Sequence, residues 1–133
     1  MNKRLMIIDE SSIGRLSIIR QLPEDAFQID HVSSLEDATP YLISVRYSLI
    51  FLNLDVEDMS TLNALMETVA EARVVVTAQE LNLQEWNQCL ALGAVGLLPK
   101  PVLKDALFHL LKHQVAWTPP RSFSEASPKL KKA

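Results

Sequence analysis

The residues of this sequence best able to do chemistry stand where short apolar runs end. Asp9 and Glu10 follow the run Leu5 to Ile8, and Asn53 and Asp55 stand at the end of Leu49 to Leu54. Thr77 follows Val74 to Val76, and Lys100 comes just after Gly96 to Leu98. Adjacent carboxylates with further oxygen donors suit a hard cation such as Mg2+, whereas an ammonium and a hydroxyl suit phosphate oxygens. Taken singly, each has an ordinary reading: a solvated acidic pair at a helix start, a strand-favouring threonine, a surface lysine. They become a site only if distant segments of chain deliver them to one place. A parallel α/β sheet does this, because its ligands bind beyond the carboxyl ends of the strands.

The elements needed for such delivery are legible. Strand-sized apolar runs lie at Leu5 to Ile8, Leu49 to Leu54, Val74 to Val76 and Gly96 to Leu98, with a weaker one at Phe27 to Val32. Between them, helical spacing gives one buried face each to Ile13, Leu16 and Ile19; to Leu62, Leu65, Met66 and Val69; to Leu83, Trp86 and Leu90; and to Leu103, Leu107, Leu110 and Leu111. Pro40 would interrupt a helix over 35–45, so a short helix with Thr39 as N-cap and Pro40 in its first position is expected. Five alternations of strand and helix, with strands apolar nearly throughout, predict a doubly wound parallel sheet covered on both faces.

Composition narrows the function. The chain has 133 residues, 48% of them hydrophobic, enough for one domain with a sizeable core. Thirteen Lys and Arg against sixteen Asp and Glu give a formal charge of −3, which offers no basic field for nucleic acid. The single cysteine, Cys89, lies among apolar residues and reads as a small core side chain. No apolar stretch is long enough for a signal-peptide core or a membrane span, so a cytoplasmic protein is expected. His31, His109 and His113 lack metal-site spacing. Ser11-Ser12-Ile13-Gly14 offers a single glycine after the first strand, which argues against a nucleotide-binding enzyme with a glycine-rich phosphate loop.

Over residues 4–115 the sequence resembles the receiver domain of bacterial two-component response regulators. Leu5 to Glu10 resembles the family's first strand with its metal-binding acidic pair. Leu49 to Asn53 resembles the third strand, which in the family ends in the phosphorylated aspartate. Val74 to Ala78 resembles the fourth strand with its switch hydroxyl, and Gly93 to Pro101 the fifth with its lysine and the following cis proline. Five markers in order make the likeness specific. It implies the CheY-like, flavodoxin-like fold: a five-stranded sheet of order 2-1-3-4-5. It also implies a metal site drawing on Asp9, Glu10 and Asp55, and a partner or dimer surface on the fourth and fifth helices with the fifth strand. Trp86, Leu97, Leu103 and Phe108 belong to that surface.

The sequence also departs from the family. Asn53 stands at the phospho-acceptor position, and a carboxamide cannot form the acyl phosphate that a carboxylate forms. Leu97 replaces the aromatic residue that swings on activation. The stretch Leu54 to Met59 is acidic and lacks the usual Pro and Gly. Loss of a unit charge beside a cation forfeits on the order of 4 kcal/mol at an effective dielectric near 20, so Mg2+ should bind weakly if at all, and Lys100 is free to pair with Asp9 or Glu10. The expectation is therefore a pseudo-receiver at 1–117, requiring no cofactor, with no enzymatic activity. It would act through a protein partner, an attached output domain or a homodimer, and residues 118–133 form a Pro-, Ser- and Lys-rich linker or tail. Trp117 is expected to fold back onto the domain. The alternative is a working receiver phosphorylated at a displaced acceptor such as Asp55.

Overall fold

The computed structural model describes residues 3–23, 25–54, 59–69 and 71–119. Ten elements alternate along them: β1 (Lys3–Ile8), α1 (Ser12–Ile19), β2 (Phe27–Val32), α2 (Leu35–Ser44), β3 (Leu49–Asn53), α3 (Met59–Thr68), β4 (Arg73–Ala78), α4 (Leu83–Ala91), β5 (Gly96–Pro99) and α5 (Lys104–Gln114). The strands form one sheet of order β2-β1-β3-β4-β5 with every neighbouring pair parallel, which is the expected topology.

Because side chains alternate across a strand, the sheet divides its apolar residues between two cores. Leu5, Ile7, Leu49, Phe51, Val75 and Leu98 join Ile18, Leu107 and Leu111, so α1 and α5 cover one face. Met6, Ile8, Ile50, Leu52, Val74 and Val76 join Ala38, Leu42, Leu62, Leu65 and Cys89, so α2, α3 and α4 cover the other. This double covering is why the strands read as unbroken apolar runs rather than alternating ones. A fully enclosed side chain such as Phe51 contributes about 1.5–3 kcal/mol through burial alone. Cys89 sits in the second core as a small apolar side chain, as expected, and burial first and then the nearby Glu85 charge push its thiol pKa up.

Local chemistry sets the helix ends. Asn82 and Glu85 form a reciprocal capping box at the start of α4, with Asn82 Oδ1 accepting from the Glu85 amide at 2.8 Å and Glu85 Oε1 from the Asn82 amide at 2.9 Å. At its other end Gly93 takes φ +113°, and the Gly93 and Ala94 amides donate back to the Leu90 and Cys89 carbonyls, closing the helix and turning the chain into β5.

Two expectations need correction. The second helix does not begin at Thr39 and Pro40. Its N-cap is Ser34, whose hydroxyl accepts from the Asp37 amide, and Pro40 lies inside the helix. Pro40 is on the exposed side, where the carbonyl it leaves unserved can turn to water, and the cap and packing of Ala38 and Leu42 outweigh the lost bond. The apolar stripes of α1 and α4 are also core faces only in part: Ile19 packs against the first core and Trp86 is half-buried, but the rest of each stripe is open. Ile13 and Leu83 are 79% and 74% exposed, Leu16 and Leu90 are exposed, and Ile18 and Cys89 enter the core instead.

Candidate functional site

The carboxyl ends of β1, β3, β4 and β5 bring Asp9, Asn53, Thr77 and Lys100 to one edge of the sheet. Asn53 and Thr77 are directly paired in the β3–β4 register, and Asp9 follows the β1–β3 pair Ile8 and Leu52. Asp9, Asn53 and Thr77 are all buried.

Asp9 is held by backbone and by charge. Its amide donates to the Val32 carbonyl, its Oδ1 accepts from the Ser11 amide at 2.9 Å, and its Oδ2 lies 2.8 Å from Lys100 Nζ. Oδ2 has no aligned hydrogen bond among the described residues, so the Lys100 charge is what compensates it there. The Lys100 amide donates to the Ala78 carbonyl, which fixes the root of the lysine at the end of β5, and the Lys100–Pro101 bond is cis as the resemblance implied. The expected pairing of Lys100 with an acidic residue of β1's end is thus made by Asp9; Glu10 is exposed.

Asn53 is 5% exposed and its Oδ1 accepts from the Thr77 hydroxyl at 3.3 Å. The position that the resemblance aligns with the phospho-acceptor thus holds a neutral carboxamide whose oxygen is engaged by the neighbouring hydroxyl.

Asp55 lies outside the described residues, as do 56–58. Among the described residues, no group of three or more His, Cys, Asp or Glu stands close enough to hold a metal ion. The buried carboxylate is taken by an ammonium and the Asn53 oxygen by a hydroxyl, so these residues as arranged do not fit Mg2+.

Two residues beside the site were not singled out as contributors by sequence reasoning. Arg15 reaches back from α1, with one guanidinium nitrogen donating to the Asp9 carbonyl at 2.7 Å and Nε donating to His31 Nδ1 at 3.0 Å, which ties the end of β1 to β2. Gly14 lies against the Asp9–Lys100 pair so closely that a Cβ there would overlap Asp9 Oδ2. The only sequence signal was that lone glycine early in a helical segment, where alanine is the better helix former.

The expected interaction residues fare differently. Leu103 is 65% exposed, and Trp86 and Leu97 are half-buried beside an open cavity of about 870 Å3 that Leu81 and Pro99 also line. Phe108 is not a surface anchor. It is buried in the α1–α5 core, where Trp117 meets its ring edge-on with centroids 4.9 Å apart and also approaches Phe27 at 5.9 Å. The same contact bears out the expectation that Trp117 folds back. Phe108 belongs to the core cluster with Ile18, Leu22, Phe27 and Leu111, and Trp117, returning past the helix end, packs against that cluster. Of the expected tail, residues 120–133 lie outside the described residues. Among the described residues no helix is long and apolar enough to cross a membrane.

Comparison with known proteins agrees with this geometry. Residues 5–112 match the family model of the response regulator receiver domain. A response regulator from Thermotoga maritima superposes with a TM-score of 0.80 at 22% identity, covering 88% of this chain and 100% of that one. A two-component response regulator from Clostridium difficile gives 0.78 at 21% identity over 86% and 97%. A response regulator from Burkholderia pseudomallei, whose structure carries a phosphorylated aspartic acid, a calcium ion and citrate, gives 0.74 at 16% identity over 99% and 74%. No curated protein matches the chain. With the sheet order, the paired strand-end residues and the family match over most of its length, the chain belongs to the response regulator receiver domain family of two-component signalling.

Proposed function

We propose that this receiver is a pseudo-receiver, a cytoplasmic signalling module that works by protein–protein contact without being phosphorylated and without catalysing a reaction. The observation that carries the reading is Asn53: buried at the acceptor position, neutral, and hydrogen-bonded to the switch hydroxyl of Thr77. Lys100, the residue that would answer a phosphoryl group, is engaged with Asp9. Leu97 supplies no ring to swing between positions. The pocket is internally compensated and has no described group calling for a phosphate or a metal.

The contact surface in this reading is α4 with β5. Leu83, Trp86 and Leu90 share one side of α4 by their spacing of three and four, and Leu83 and Leu90 remain open to solvent. An amphipathic stripe that its own domain leaves uncovered is the face a protein partner, an attached output domain or a second copy would cover.

The reading is tested by incubating the protein with a small-molecule phosphodonor and Mg2+ and following its intact mass. The mass should remain that of the unmodified chain. A phosphoryl adduct that disappears in Asp55→Asn would instead establish the displaced acceptor.

A further inference from the structure

We propose that Gly14 is a positioning residue: by presenting no side chain, it lets the Lys100 ammonium serve as the resident cation of the Asp9 carboxylate and so sets the pocket against divalent cations. The inference rests on the pseudo-receiver reading above and adds the cause of the pocket's closed state.

A Cβ built on Gly14 would overlap Asp9 Oδ2, come within 3.0 Å of Asp9 Cγ and within 3.1 Å of Lys100 Nζ. The missing side chain therefore coincides with both halves of one ion pair. Conformational freedom does not explain the glycine. Gly14 lies in the first turn of α1, its amide donates to the Ser11 hydroxyl of the N-cap, and its backbone is not in the left-handed region. At such a position alanine is the better helix former, so what the glycine supplies is space.

That space has an electrostatic use. Asp9 is 2% exposed, and its Oδ2 relies on Lys100 because no hydrogen bond is aligned on it among the described residues. An ammonium at 2.8 Å already occupies the position from which a divalent ion would draw its charge compensation. To take a cation, Asp9 would first have to release Lys100. A Cβ at residue 14 would require the Asp9 carboxylate to shift and crowd the Lys100 ammonium, disturbing their contact, and the ammonium has somewhere to go: Gly14 and Lys100 both line an open groove of about 290 Å3, together with Ser11, Ser17 and Val102.

The experiment is a calorimetric titration of the full chain with MgCl2, supported by titration with MnCl2 followed by electron paramagnetic resonance of the free ion. Gly14→Ala changes no formal charge, so it separates geometry from net electrostatics. It should tighten cation binding by at least about tenfold over the parent chain, and the gain should vanish in Gly14→Ala combined with Asp9→Asn. A folded Gly14→Ala protein whose affinity is unchanged would overturn the proposal and leave Gly14 as a packing residue only. If Gly14→Ala does not fold, Lys100→Met decides: it adds no Cβ and removes the ammonium, and unchanged affinity there would overturn the proposal equally. Failure of either kind leaves the intact-mass result untouched, whereas a phosphoryl adduct on the parent chain would sink the pseudo-receiver reading whatever the titrations show.

Discussion

Lys100 Nζ and Asp9 Oδ2 meet at 2.8 Å across the carboxyl edge of the sheet, tying the ends of β1 and β5, strands that are not neighbours in the sheet, through one ion pair. Asp9 is almost wholly enclosed and Lys100 only partly, so the pair is asymmetric: removing the lysine strands a buried charge. Lys100→Met should therefore destabilise the domain by about 3 kcal/mol in urea unfolding, and adding Asp9→Asn should recover most of that loss. Equal losses in the single and double variants would show that the pair carries no coupling.

Thr77 and Asn53 form the second polar contact of the site. Thr77→Val keeps the shape of the side chain but leaves Asn53 Oδ1 buried without that donor, a cost of about 1–2 kcal/mol. Thr77→Ser, which retains the hydroxyl, should lose less, and the comparison by chemical unfolding separates the hydrogen bond from packing.

Asn53→Asp places a carboxylate beside Asp9. In the absence of metal the two like charges should lower the thermal midpoint, and Mg2+ should restore it in a concentration-dependent way, because a ligand that binds only the folded state stabilises by mass action. Calorimetry should find Mg2+ binding at least about tenfold tighter than in the parent chain. A variant indifferent to Mg2+ would mean that position 53 no longer governs the pocket.

Tyr47 provides the alkaline limit. Burial above all, and then the hydrogen bond its hydroxyl donates to Asp30 at 2.5 Å, hold its pKa above the ordinary phenol value. The folded state thus keeps the proton longer than the unfolded chain does. The sign follows: this stability is complete below about pH 10 and is lost as pH rises through the folded value. At neutral pH Tyr47→Phe should be less stable by about 1 kcal/mol for want of the hydrogen bond, and the gap to the parent should close as pH is raised beyond about 10. Thermal midpoints of both proteins across that range check it.

Trp117 packs on Phe108 and Phe27 just beyond α5. Trp117→Ala should cost about 2–3 kcal/mol and expose Phe108, which urea unfolding and binding of an apolar dye would report.

Much of the fold could be read from residue order because the apolar runs of β1, β3, β4 and β5 are unbroken and each ends in a polar residue. That same ending placed Asp9, Asn53, Thr77 and Lys100 at one edge. Periodicity found the stripes of α1 and α4 but not their destination: Ile13, Leu83 and Leu90 have core-like spacing whether a sheet or a partner covers them. Phe108 failed in the opposite direction: it stands off the Leu107 and Leu111 stripe by spacing, yet it packs in the same core, with Trp117 against it. Proline's fit to a first helical turn points to a start at Thr39 and Pro40, whereas Ser34 and Asp37, three residues apart, carry the true capping signal. The role of Gly14 was hidden because it consists of a missing side chain, and only the placement of Asp9 and Lys100 shows what that absence accommodates.

The most direct test of whether this receiver stands outside the phosphorylation cycle is a two-dimensional amide NMR spectrum recorded before and after saturating phosphodonor with Mg2+. The amides of Asn53, Thr77, Ala78 and Lys100 should keep their positions. Displacement of those resonances into a second set, reversing as the donor is consumed, would contradict the account.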